Sequence, residues 1–147
     1  MGSDWDGRRY DEVNALQRWV ADQSLAALSL RGDERVLDVG CGDGRVTAEL
    51  AATVPRGSVL GIDPSPRMLE VARARVRPDL ANLAFEPGSA EALAYDGAFD
   101  VVVSFNALHW VDDLALAMRR IRAALVEGGS AYLQLVCEGE RPSVEDV

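Results

Sequence analysis

Arg35-Val36-Leu37-Asp38-Val39-Gly40-Cys41-Gly42-Asp43-Gly44 is the stretch that decides the fold. Val36, Leu37 and Val39 make a short apolar, largely β-branched run that stops at glycine, and Gly44–Thr53 then has helical periodicity. The order is strand, glycine turn, helix. Pro55-Arg56-Gly57 closes that helix and the pattern repeats. Ser58–Asp63 reads as a second strand, Ser65 as an N-cap, and Pro66 as the first residue of a helix with Met68, Leu69, Ala72 and Val76 along one side. Leu83–Glu86 is a weak third strand running into Pro87-Gly88. Phe99–Phe105 is the strongest strand, continuously apolar enough to be covered on both faces. Asp112 or Asp113 caps a helix that stops at Gly128-Gly129, and Ala131–Val136 follows as a fifth strand. Upstream, Tyr10, Val13, Leu16, Trp19, Val20, Leu25 and Leu28 recur at three- and four-residue steps, which predicts an amphipathic helix over much of Tyr10–Leu28. Alternating strands and helices joined by right-handed crossovers give an α/β fold, a doubly wound and mostly parallel sheet with helices on both faces. In such sheets ligands bind beyond the carboxyl ends of the strands, where the winding reverses.

The 147 residues suit one domain, residues 1–147, with no repeat and no linker-like stretch. Fifteen basic side chains, all arginine, stand against twenty-four acidic ones for a net charge of −9. Nucleic acid is therefore not an expected partner, since affinity for phosphate needs clustered positive charge. No apolar run reaches the ~20 residues of a membrane span, and Met1–Asp11 is too polar for a signal peptide. A cytoplasmic protein is expected, with Cys41 and Cys137 reduced and no metal-ligand spacing between them. The absence of lysine rules out Schiff-base and Walker-type phosphate chemistry.

The glycines of the decisive stretch let the backbone turn sharply and approach a bound molecule closely. A dinucleotide fingerprint, G-x-G-x-x-G, would put its third glycine where Arg45 stands; here the spacing is G-x-G-x-G. With Asp38 two places before Gly40, and Asp63 at the end of the second strand nineteen residues after Gly44, the chain resembles the Rossmann-like (class I) methyltransferases that use S-adenosylmethionine. The resemblance extends over about Tyr10 to Val136. It implies S-adenosyl-L-methionine as cofactor, S-adenosyl-L-homocysteine as its product, and a binding set of Asp38, Gly40, Cys41, Gly42, Gly44 and Asp63. By the same resemblance Asp63 takes both ribose hydroxyls, Ile62 and Met68 wall the adenine, and Ser89 and Ala90 hold its edge. The family commonly carries Asp where this chain has Ser89, so the adenine amine meets a neutral acceptor here. Tight turn, core filling and helix capping are the plain structural uses of these same residues.

Ser104-Phe105-Asn106-Ala107-Leu108-His109-Trp110 follows the strongest strand, where the family places methyl transfer. Its Leu-His-Trp wording, with Tyr10-x-x-x-Asn14-x-x-Gln17, is similar to the trans-aconitate and juvenile-hormone-acid carboxyl O-methyltransferases. That resemblance implies a small-molecule acceptor, a carboxylate oxygen, with Gln17 and Trp110 as substrate-positioning residues and Asn106 beside the cofactor. A carboxylate is already ionised at neutral pH and needs no general base, so His109, the only histidine, is a candidate without a required role. The arginines from Arg67 to Arg77 read as a solvated helix face. Family members generally continue past the fifth strand with another helix and an antiparallel strand pair. Only eleven residues follow Val136, so the chain reads as truncated, with an open fifth-strand edge through which it would self-associate. The competing reading is a catalytically silent S-adenosylmethionine-binding fragment or partner subunit. A nicotinamide oxidoreductase is disfavoured by Arg45 and by the missing Tyr-x-x-x-Lys pair.

Overall fold

The structure is a computed structural model that describes residues 3–105 and 107–135; the side chains of residues 3–14 and of His109 lie outside that description. Helix α1 (Ser3–Ala27) precedes β1 (Arg35–Val39), α2 (Arg45–Thr53), β2 (Ser58–Asp63), α3 (Pro66–Arg73) and β3 (Leu83–Pro87). Then come β4 (Phe99–Phe105), α4 (Leu114–Ala124) and β5 (Leu125–Gln134). Short 3-10 turns occupy Pro78–Leu80, Ala90–Ala92 and Leu108–Trp110. The strands form one sheet in the order β3-β2-β1-β4-β5, every neighbouring pair parallel. The chain winds outward from β1 through β2 and β3, then restarts at β4 on the other flank. The reversal therefore lies between β1 and β4.

A parallel sheet buried on both faces needs apolar side chains in both directions along each strand, and β1 supplies them. Val36 enters a core shared with Leu50, Leu69 and Phe85, while Leu37 and Val39 enter a second core with Val102, Leu108 and Ile121. α2 and α3 cover the first and α4 the second. Arg35 fastens β1 to β4 at the far end of the sheet: its N–H and its guanidinium Nε both donate to Asp100 Oδ2, at 2.8 and 3.2 Å. That guanidinium holds the Asp100 carboxyl below the usual carboxylate range.

β2 and β4 have the predicted boundaries, and Ser65 caps α3 by accepting from the Met68 N–H, with Pro66 at the first helical position. Asp113 caps α4 by accepting from the Leu116 N–H at 2.9 Å. Two expectations need correction. α4 ends at Ala124 and not at Gly128-Gly129, because the N–H groups of Gly97 and Ala98 take the carbonyls of Ala123 and Ala124. The freed chain starts β5 at Leu125, six residues ahead of the predicted Ala131, with a register shift opposite Phe99–Val101 and a left-handed Gly128 at φ 79°. Val136 and the tail beyond it lie outside the described residues. The first helix forms, but its expected apolar stripe is turned outward at Leu16 and Trp19; Ala21 is buried and Leu25 and Leu28 pack on the core. The arginines from Arg67 to Arg77 are exposed, as expected; Arg73 also donates to the Phe85 carbonyl and Arg75, just past α3, to Asp43. Among the described residues no strand pairs with the outer edge of β5, and the Ser24 hydroxyl of α1 donates to Gln134 Oε1 there at 3.0 Å. No described helix is long and apolar enough to cross a membrane.

Candidate functional site

Three glycines between β1 and α2 adopt left-handed backbone, with φ of 73° at Gly40, 56° at Gly42 and 77° at Gly44, a region in which any side chain is strained. They do different things. A Cβ on Gly40 would overlap Ala107 of the segment after β4. One on Gly44 would fall 2.7 Å from Phe85 Cζ and 2.8 Å from Ala72 Cβ, so this glycine lets α2 seat against α3 and β3. A Cβ on Gly42 would meet nothing within 4 Å. Gly42 is thus the loop position whose missing side chain leaves space and not a protein contact.

The loop is held by main-chain and carboxylate bonds. The N–H groups of Gly40 and Cys41 both donate to the Ile62 carbonyl, at 2.8 and 2.9 Å. Asp63, next along β2, accepts from the Gly42 N–H through Oδ2 at 3.0 Å and from the Ser65 N–H through Oδ1 at 2.9 Å. Its carboxylate therefore ties the glycine loop to the start of α3. Arg75 grips the loop from outside, donating through Nε to the Asp43 carbonyl at 2.8 Å and through Nη2 to Asp43 Oδ2 at 3.3 Å.

Asp38 lies beneath this loop, almost wholly buried, and accepts from the Thr47 hydroxyl of α2 at 2.8 Å. Burial pushes its carboxyl up to about 7; the Thr47 bond opposes that rise and the charge of Asp63 adds to it. Burial also pushes the Cys41 thiol up, with Asp38 and Asp63 adding to the effect, which leaves it a core side chain and not a nucleophile.

Beyond the carboxyl ends of four strands lies a cavity of about 350 Å³, within the usual size range of small-molecule sites. Gly40 comes from the end of β1, Asp63 and Pro64 from the end of β2, Ser89 and Glu91 from the loop after β3, and Leu108 and Trp110 from the turn after β4. Buried apolar walls and a few aimed polar groups suit a ligand that is part ring, part polar chain. Glu91 also bridges two of these walls, Oε1 accepting from the Asp112 N–H and Oε2 from the Asp113 N–H, each at 3.2 Å.

Gly40, Asp63, Ser89, Ala90 and Trp110 thus come together around one cavity. Others named from the sequence do not line it: Gly42 borders open space beside Asp63, and Gly44 is packed against Phe85 and Ala72. Ile62 is core beneath Gly88, Met68 is half-buried on the first turn of α3, and the Cys41 side chain packs under the loop. Asp38 supports the loop from below, and Gln17 is half-buried on α1 away from the cavity lining. Asn106 lies outside the described residues, as does the His109 side chain, although its backbone belongs to the Leu108–Trp110 turn. Sequence reading missed Arg75 and the role of Glu91, since a charged residue on a loop or helix face carries no periodic signal for its partner. Among the described residues no cluster of His, Cys, Asp and Glu could hold a metal ion.

A family model described as a methyltransferase domain matches residues 36–129. The chain is 34% identical over 133 residues to the trans-aconitate 2-methyltransferase of Methylobacterium radiotolerans, covering 90% of this chain and 50% of that protein. It is 37% identical over 130 residues to the malonyl-[acyl-carrier protein] O-methyltransferase of Halorhodospira halophila, covering 86% and 44%. Among solved structures, an S-adenosylmethionine dependent methyltransferase from Mesorhizobium loti superposes with a TM-score of 0.63 at 33% identity, over 77% of this chain and 50% of that one. The chain spans about half the length of the curated relatives it matches.

Proposed function

This chain belongs to the methyltransferase-domain family, and on that premise we propose that its cavity binds S-adenosylmethionine and directs methyl transfer to a carboxylate oxygen of a small-molecule acceptor. The observation that carries the reading is the open space at Gly42, left-handed and unfilled by protein, beside a carboxylate already anchored at the end of β2. A Cβ there would occupy room that a ligand chain needs. When bound, the cofactor supplies an activated methyl group on a sulfonium.

The chain's own part is binding, orientation and exclusion of water. Asp63 keeps acceptor lone pairs beyond its two backbone bonds, which suits a ribose diol and repels a ribose phosphate. Ser89 and Ala90 would edge the adenine, with the neutral Ser89 hydroxyl accepting from its amine. Leu108 and Trp110 wall the opposite side, where the acceptor would be positioned. A carboxylate acceptor arrives ionised at neutral pH, so the site needs alignment and not a general base. The names of the relatives, a trans-aconitate methyltransferase and a malonyl-carrier O-methyltransferase, support carboxylates as the class to try.

Calorimetric titration with S-adenosylhomocysteine and, separately, NAD, followed by mass spectrometry of products from a panel of small carboxylic acids that includes trans-aconitate, tests the reading. Binding of the first ligand alone and a mass gain of one methyl on an acid are expected. Binding without any methylated acid would select a silent cofactor-binding module, and binding of NAD alone would overturn the proposal.

A further inference from the structure

Glu91 stands between two walls of the cavity. It belongs to the turn Ala90–Ala92 after β3 and lines the cavity itself, yet its carboxylate engages the backbone 21 and 22 residues further along the chain. The two amides it accepts from, Asp112 and Asp113, sit where the post-β4 segment ends and α4 begins. Amides at a helix start have no partner within the helix and lie at the positive end of its dipole, so a carboxylate across both is held in a fixed fork. The Asp113 side chain is committed elsewhere, accepting from the Leu116 N–H.

We infer that Glu91 is a positioning residue of this site: it draws the turn carrying Leu108 and Trp110 against the loop carrying Ser89 and Ala90, and so sets the width of the cavity between the cofactor side and the acceptor side. Which side receives the acceptor rests on the methyl-transfer reading above; the clamp itself does not. A carboxylate is needed because both partners are donors. Gln offers one acceptor oxygen and turns an amine toward the other N–H, so it keeps one bond of two. Ala keeps none.

The test uses the full chain with Glu91→Gln and Glu91→Ala, and Glu70→Gln on the exposed face of α3 as a surface control. Amide exchange of Ala107–Asp113 is followed with and without S-adenosylhomocysteine, beside thermal unfolding and titration with that ligand. Expected are faster exchange confined to Ala107–Asp113, a thermal midpoint near wild type, and affinity lowered roughly threefold to tenfold in Glu91→Ala, with Glu91→Gln between. The protection that ligand confers on the turn should fall in the same order. Wild-type exchange in both variants overturns the clamp. Faster exchange with unchanged affinity and unchanged ligand protection overturns the positioning role, and a purely global loss of stability does the same. If the wild-type chain binds no S-adenosylhomocysteine, the methyl-transfer reading fails instead, and local exchange in the free protein still decides whether Glu91 orders the turn.

Discussion

The two sides of the cavity are built by different means. On the β1–β2 side, glycine backbone, the Ile62 carbonyl and the Asp63 carboxylate form a closed set of bonds over a buried Asp38, with two cores beneath. On the β4 side, Leu108 is fully buried but Trp110 is 81% exposed, and the turn is joined to the opposite wall through Glu91. The first side is specified by packing and main-chain geometry, which tolerate almost no change. The second rests on the buried Leu108, on Val111 packed beside it, on Ala107 against Gly40 and on the Glu91 bridge, which leaves its exposed surface freer to vary.

Gly44→Val should break the rigid side most severely. Left-handed strain combined with overlap on Phe85 and Ala72 should cost about 5 kcal/mol of unfolding free energy in chemical denaturation; a loss below about 2 kcal/mol would mean that α3 and β3 yield easily. Asp38→Asn sharpens the same side through pH. The unfolded carboxyl releases its proton near 4 and the folded one at about 7. Between those values the folded chain holds the extra proton, so stability contributed by Asp38 is full below about pH 4, declines as pH rises and is gone above about 7, a change of at most about 4 kcal/mol. The wild-type-minus-variant difference in unfolding free energy at pH 5 and pH 8 should show this decline, and a difference independent of pH would refute it.

Gly42→Val probes space and not packing. It should cost only ~1–2 kcal/mol of stability from its backbone strain, yet abolish detectable S-adenosylhomocysteine binding in calorimetry. Retained binding would move the ligand away from the loop. On the other side, Trp110→Ala should change stability by less than about 0.5 kcal/mol while slowing methyl transfer roughly tenfold, about 1.4 kcal/mol of barrier, with cofactor affinity held within a few fold. Equal losses of rate and affinity would place Trp110 against the cofactor and not the acceptor.

The fold was legible where local chemistry and packing agree. The apolar run of β4, the Ser65-Pro66 cap and the glycine stop after Val39 each carry their own signal, and the structure has each of them in place. β5 was misplaced because Leu125-Val126-Glu127 suits either a helix end or a strand start, and the choice is made by the distant amides of Gly97 and Ala98. The outward turn of Leu16 and Trp19 is equally invisible to periodicity, which reports a stripe and not what lies opposite it. At the site, Asp63 could be named from its position at a strand end. The duties of Glu91 and Arg75 could not, since each depends on a partner more than twenty residues away.

The strand order has a kinetic consequence. β1 occupies the middle of the sheet, but its second neighbour, β4, comes far later in the chain, with 65 residues separating the bonded pair Arg35 and Asp100. Closing a loop of that length costs about 4 kcal/mol of chain entropy before any contact across it is made, and such non-local pairing slows folding. During synthesis β1, β2 and β3 can assemble while β4 is still unmade, so the glycine loop and Asp63 acquire their geometry early. The cavity needs the β1–β4 seam and closes late. A nascent or partly unfolded chain would therefore display half of the cavity, with the Leu37 and Val39 face of β1 exposed until β4 and α4 arrive to pair with it and cover it.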